Sequence, residues 1–115
     1  MSEITPRQAL EEAKALCAQK DGWTQHAAAR DKDGNAVQPT DDAASSFCMV
    51  GALRRVTGDV NHPAYGNAVS LLLARVRACS PWWCVTQWND GGWRTQLQIV
   101  AAFDVAIAAA IKESP

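Results

Sequence analysis

Seven consecutive residues, Phe47 to Leu53, carry no polar side chain. A chain of 115 residues is one domain with one core. A segment apolar on every side has to lie inside that core. We read it as the centre of a helix capped by Asp41 or Asp42 and ending near Val56, with the other helices packed around it. Gly51 in its middle costs about 1 kcal/mol relative to alanine. The simplest compensation is close approach of a neighbouring helix.

The remaining elements follow from local punctuation. Thr5-Pro6 with Gln8 is a capping box opening a first helix, whose face is Ala9, Leu10, Ala13, Leu16 and Cys17. Asp21-Gly22 ends it, with Gly22 expected in the left-handed conformation. Asp31 to Asn35 is turn chemistry, so Ala27–Arg30 and Ala36–Val37 read as the arms of a small β-hairpin. Asn61 or His62 before Pro63 opens a third helix with the stripe Tyr65, Ala68, Val69, Leu72, Val76 and Cys79. Trp82 to Trp88 reads as either a short strand or a single helical turn. Thr95 with Gln98 caps a last helix, whose stripe is Val100, Phe103, Ile107 and Ile111. Asp104 projects about 40° from Val100 on the helical wheel, so it needs a polar partner such as Arg30. The expected fold is mainly α, with about four helices around a buried second helix and a β-hairpin after the first. The chain forms a single compact domain, 1–115.

Charge and composition exclude several functions. Eleven basic against twelve acidic residues leave a net charge of −1. That balance offers no general attraction to nucleic acid or anionic lipid. No apolar run is long enough to span a membrane. The N-terminus has neither a basic stretch nor an apolar one, so a cytoplasmic protein is expected. Twenty-one alanines favour helix.

The motifs Trp23-Thr-Gln25, Ala29-Arg30-Asp31, Phe47-Cys48, Gly51-Ala-Leu53, Trp88-Asn89-Asp90, Thr95, Phe103-Asp104 and Ala106-Ile107 together span nearly the whole chain. In this set the chain resembles an uncharacterised family of short bacterial and phage proteins, classed as a domain of unknown function. The resemblance implies a mainly helical fold and supplies no reaction. The family more often carries a small residue at the position of His26, so the resemblance does not make His26 a general catalytic residue.

Two chemistries can be weighed on the residues. The cysteines are Cys17, Cys48, Cys79 and Cys84. They lack metal-ligand spacing, and no cofactor motif is present, so no metal and no cofactor is expected. Cys48 with His26 or His62 as base, oriented by Asp104 or Asp90, or else Cys84 with His26, would make a cysteine-dependent hydrolase or transferase. Against this, Cys48 lies in the apolar run, where a thiol is inert. Cys17 and Cys79 are read as core thiols on apolar helix faces.

Four of the five tryptophans fall between Trp82 and Trp93. They serve either as a lid on the core or as the wall of a binding surface. The favoured reading is a non-enzymatic binding or accessory protein. Its surface comprises Trp23, Arg30, Trp82, Trp83, Trp88, Asn89, Asp90 and Asp104, and its partner is a small molecule or a protein. Asn89 and Asp90 read either as a structural turn before the last helix or as the polar mouth of the site. Single-stranded nucleic acid is disfavoured because stacking aromatics need a basic groove. A third reading is homo-oligomerisation through the tryptophans.

Overall fold

The structure is a computed structural model that describes residues 3–80 and 83–113. Among these residues there are five helices and two short strands. Helix α1 spans Pro6–Ala18, strand β1 Ala29–Arg30, strand β2 Ser46–Phe47 and helix α2 Met49–Thr57. Helix α3 spans Pro63–Cys79, α4 Val85–Asn89 and α5 Gln96–Glu113. The fold is mainly helical, with an antiparallel strand pair after α1. Trp82, expected in the aromatic wall, lies with Pro81 outside the described residues.

The capping signals translate directly into helix starts. Thr5 accepts from the Gln8 N–H while the Gln8 side chain accepts from the Thr5 N–H. Thr95 and Gln98 repeat the arrangement at the start of α5. His62 caps α3, its Nδ1 accepting from the Ala64 N–H at 3.0 Å. At the other end of α1, Gln96 donates to the carbonyls of Cys17 and Gln19. The first residue of α5 thereby satisfies acceptors left open by the end of α1.

Several expectations shift. Helix α2 starts at Met49 and its N-cap is Cys48, not Asp41 or Asp42. Asp41 instead closes a turn by accepting from the Ala43 N–H. The left-handed residue after α1 is Asp21, with φ of 58°, and not Gly22. Gly22 is required for room, because a Cβ there would stand 2.2 Å from the Leu16 carbonyl oxygen. The expected hairpin turn forms: Gly34 is left-handed and donates to the Asp31 carbonyl. Beyond it, Ala36 makes a single bridge to Arg30, while the paired strand is Ser46–Phe47 in the register Ala29↔Phe47 and Arg30↔Ser46. Of the ambiguous stretch, 85–88 is helical, opened by a further capping box of Cys84 and Gln87.

The core draws on every helix. Leu10, Met49, Leu53, Leu72, Val76, Ile99 and Phe103 are fully buried. Helix α2 lies against α1, α3, α4 and β2, while α1 also lies against α3 and α5. Gly51 is the point of closest approach, and its neighbour is backbone rather than a helix. A Cβ on Gly51 would come 1.9 Å from the Ala28 carbonyl oxygen. Helix α5 is rotated from its expected face: Ile99, Ala102, Phe103, Ala106 and Ala110 are buried, while Ile111 is exposed. Asp104 is consequently on the outside, paired with Lys14 of α1 at 2.6 Å rather than with Arg30. Cys79 also faces solvent, contrary to its expected place on an apolar face.

Candidate functional site

Three segments distant in sequence meet at one corner: the strap Trp23–Ala28, the N-terminus of α2, and α4 with its exit. The strap is held to β2 by backbone bonds, Phe47 N–H to the Gly22 carbonyl and Thr24 N–H to the Phe47 carbonyl. Cys48 N–H then donates to the Ala28 carbonyl.

Asn89 joins all three segments. Its side-chain oxygen accepts from Trp23 Nε1 at 2.9 Å and from the Met49 N–H at 3.1 Å. Its amide nitrogen donates to the Thr24 carbonyl at 3.1 Å and to Asp90 Oδ1 at 2.9 Å. These four bonds use the full capacity of a primary amide. Asn89 is 0% exposed, and such a group is tolerated in a core only when satisfied in this way. Gln25, which sequence reasoning did not single out as a site residue, adds bonds from Nε2 to the carbonyls of Asn89 and Gly91.

Among the described residues the tryptophans therefore do not form one continuous wall. Trp88 is 5% exposed and belongs to the core. The Arg94 guanidinium lies 3.8 Å from its ring centroid, and Arg94 Nε donates to the Trp88 carbonyl at 2.7 Å. Burial lowers the pKa of Arg94 from its ordinary value. Trp23 is half-buried with its indole N–H committed to Asn89. Trp83 and Trp93 face solvent, at 39% and 95% exposure. Arg30 is absorbed by neutral groups, donating to Thr24 Oγ1 and to the carbonyls of Gln25 and Gly34. Among the described residues neither Arg30 nor Arg94 pairs with Asp90. Asp104 lies with α1 and α5, away from this corner.

Beside the joint opens a cleft of about 280 Å³. His26, Cys48, Arg54, Tyr65, Thr86 and Asp90 supply its polar lining, and Ala27, Ala28, Pro39, Val50 and Val60 its apolar wall. His26 has a left-handed backbone, φ 66°. That turn delivers its N–H to Asp90 Oδ1 at 2.9 Å, with its Nδ1 3.9 Å from Asp90 Oδ2. Asp90 thus lines the cleft, while Asn89 lies behind it as support. Tyr65 was read from sequence as a core stripe residue, and Arg54 is a charge in the last turn of α2. Only the fold brings them to the same cleft.

Cys48 sits in the floor and caps α2 with its sulfur, which accepts from the Gly51 N–H at 3.2 Å. Burial pushes its thiol up, the N–H groups of Gly51 and Val50 pull it down, and the charge of Asp90 raises it again. The net direction is upward, so the thiol is the resting form at neutral pH. Cys17, deeper in the core, is pushed by burial to about 12. Cys84 is exposed and caps α4 through its sulfur, outside the cleft lining. Among the described residues no three His, Cys, Asp or Glu side chains converge as a metal site.

A wider groove of about 880 Å³ runs between the start of α1, α3 and the end of α5. It contains none of the candidate residues. No helix among the described residues is long and apolar enough to cross a membrane.

Neither a curated protein nor a solved structure matches the chain. Residues 1–109 match a family model described as a family of unknown function, DUF6197, and the chain belongs to that family.

Proposed function

We propose that this protein is a non-enzymatic, cytoplasmic binding protein whose ligand is a small molecule held in the cleft between the strap, α2, the start of α3 and α4. The observation that carries this reading is the mounting of Asp90. Its carboxylate is fixed from behind by Asn89 and from the side by the His26 N–H. It lines the same cleft as Arg54 and Tyr65. A concave, partly apolar site with a few rigidly supported polar groups is the usual form of a small-ligand site. Two exposed free thiols, Cys79 and Cys84, support a reducing compartment.

The test is native mass spectrometry of protein purified without a denaturing step, combined with NMR mapping of whatever it retains. A retained small molecule whose removal shifts the amides of Ala28, Val50 and Arg54 supports the reading. Shifts confined to Trp83 and Trp93 overturn it in favour of an aromatic surface.

A second reading has one specific observation in its favour. Cys48, His26 and Asp90 line the same cleft, the residue types of a cysteine-dependent hydrolase or transferase. The upward push on the Cys48 thiol counts against it. Cys48 alkylation at neutral pH faster than that of exposed Cys84 would favour the enzyme.

A further inference from the structure

The cleft contains an acid and a base that do not meet. Asp90 and Arg54 both line it. Among the described residues the Arg54 guanidinium engages no hydrogen bond and no ion pair. Asp90 Oδ1 is taken by the His26 N–H and the Asn89 amide, whereas Oδ2 accepts no hydrogen bond among the described residues and has His26 Nδ1 3.9 Å away. The Tyr65 hydroxyl is likewise unbonded among the described residues. The Arg54 charge is felt there, opposing the upward push of burial and of Cys48 on the Tyr65 hydroxyl.

Opposite charges sharing a small cleft without touching set a requirement on the ligand. A simple anion satisfies Arg54 and is repelled by Asp90; a simple cation has the reverse problem. A molecule carrying both signs on a short body satisfies both, and Ala28, Val50 and Val60 offer that body an apolar wall. The volume of about 280 Å³ has room for a molecule of amino-acid size.

We infer that the cleft binds a small zwitterion of the amino-acid class, its carboxylate on Arg54 beside the Tyr65 hydroxyl and its ammonium on Asp90 Oδ2. The inference rests on the cleft being the ligand site. Arg54 offers a planar fork of donors that suits a carboxylate. Asp90 offers an acceptor whose position the Asn89 joint fixes in advance.

The experiment is an NMR titration following the amides of His26, Ala28, Val50 and Gly51. Its probes are L-valine, 3-methylbutanoate, which lacks the ammonium, and 2-methylpropylamine, which lacks the carboxylate. L-Valine should shift these amides saturably, and each truncated probe should bind about tenfold more weakly or worse, the loss of one charge-assisted contact. Arg54→Met should abolish the advantage of valine over the amine. Asp90→Asn should abolish its advantage over the acid, and asparagine keeps an acceptor for the His26 N–H. Valine binding no tighter than either truncated probe overturns the inference, as does silence with both L-valine and L-phenylalanine. Neutral 2-methylpropanamide separates the two levels. If it shifts the cleft amides where valine does not, the zwitterion falls and the cleft survives as a site. Silence from every probe removes both.

Discussion

Trp23 donates its indole N–H to the side-chain oxygen of Asn89 at 2.9 Å, across 66 residues of sequence. The same oxygen accepts the Met49 N–H. One amide therefore fixes the strap, the start of α2 and the end of α4 relative to each other, and holds Asp90 in the cleft.

Asn89→Ala should accordingly be among the more damaging substitutions in this chain. It leaves the Trp23 N–H, the Met49 N–H and the Thr24 carbonyl short of a partner in a buried place. Unmet buried polar groups cost about 1–3 kcal/mol each, with partial relief from relaxation, so a loss of about 3 kcal/mol is expected. Trp23→Phe removes one donor and leaves Met49 on the same oxygen, for which about 1–2 kcal/mol is expected. Urea unfolding of both variants checks the ranking, and equal losses would mean that Asn89 is not the hub.

What could be read from the sequence was local. Thr5 with Gln8, His62 before Pro63, and Thr95 with Gln98 act within four residues, and all three set helix starts where expected. The start of α2 was misplaced for an equally local reason. Asp41 and Asp42 are better caps by residue type than Cys48, yet Arg55 ties the Pro39 and Asp41 carbonyls into a loop and leaves the cap to the thiol. The face of α5 was misjudged because large side chains were weighted over alanines. The helices approach closely enough that Ala102, Ala106 and Ala110 fill the contact while Leu97 and Ile111 stay outside. Trp-Asn-Asp was visible as a motif, but its partners were not. Trp23, Gln25 and Met49 reach Asn89 only after the chain has folded back over 40 to 66 residues.

The thiols should divide into two pairs. Cys79 and Cys84 are exposed, and Cys17 and Cys48 are buried. A chromogenic disulfide at neutral pH should titrate two thiols quickly and the other two only on unfolding. Mass mapping of the fast pair checks the assignment. Fast reaction at Cys48 would contradict its burial and strengthen the enzymatic reading.

Stability should fall on the alkaline side. Burial raises the Cys17 thiol from its ordinary 9.0 to about 12, and Cys48 is raised as well. For Cys17, the native state holds its proton while the unfolded chain releases it above pH 9. Its contribution is therefore complete below pH 9 and lost as pH rises toward 12, at about 1.4 kcal/mol per pH unit at most. Denaturant midpoints measured from pH 7 to 11 should decline from about pH 9. Cys17→Ala, whatever its cost at pH 7, should decline less steeply. Parallel slopes would assign the loss to other groups.

Two glycines on helices should respond in opposite senses to alanine. Gly51 lies in α2 with the Ala28 carbonyl where its Cβ would be, at 1.9 Å. That obstacle is backbone, held by the Cys48 N–H, and cannot rotate away. Gly66 lies in α3 with nothing within 4 Å of where a Cβ would stand and no left-handed backbone. Helix propensity favours alanine by about 1 kcal/mol at both sites. At Gly66 that preference acts alone, and Gly66→Ala should stabilise by up to about 1 kcal/mol. At Gly51 the displacement of Ala28 outweighs it, with a net loss of about 2–4 kcal/mol expected. Because Ala28 and Gly51 both line the cleft, Gly51→Ala should also shift the His26 and Asp90 amide signals. Thermal unfolding with amide spectra of both variants checks the pair. A Gly51→Ala protein as stable as the parent would mean that the strap yields, and that the cleft wall is softer than its hydrogen bonds indicate.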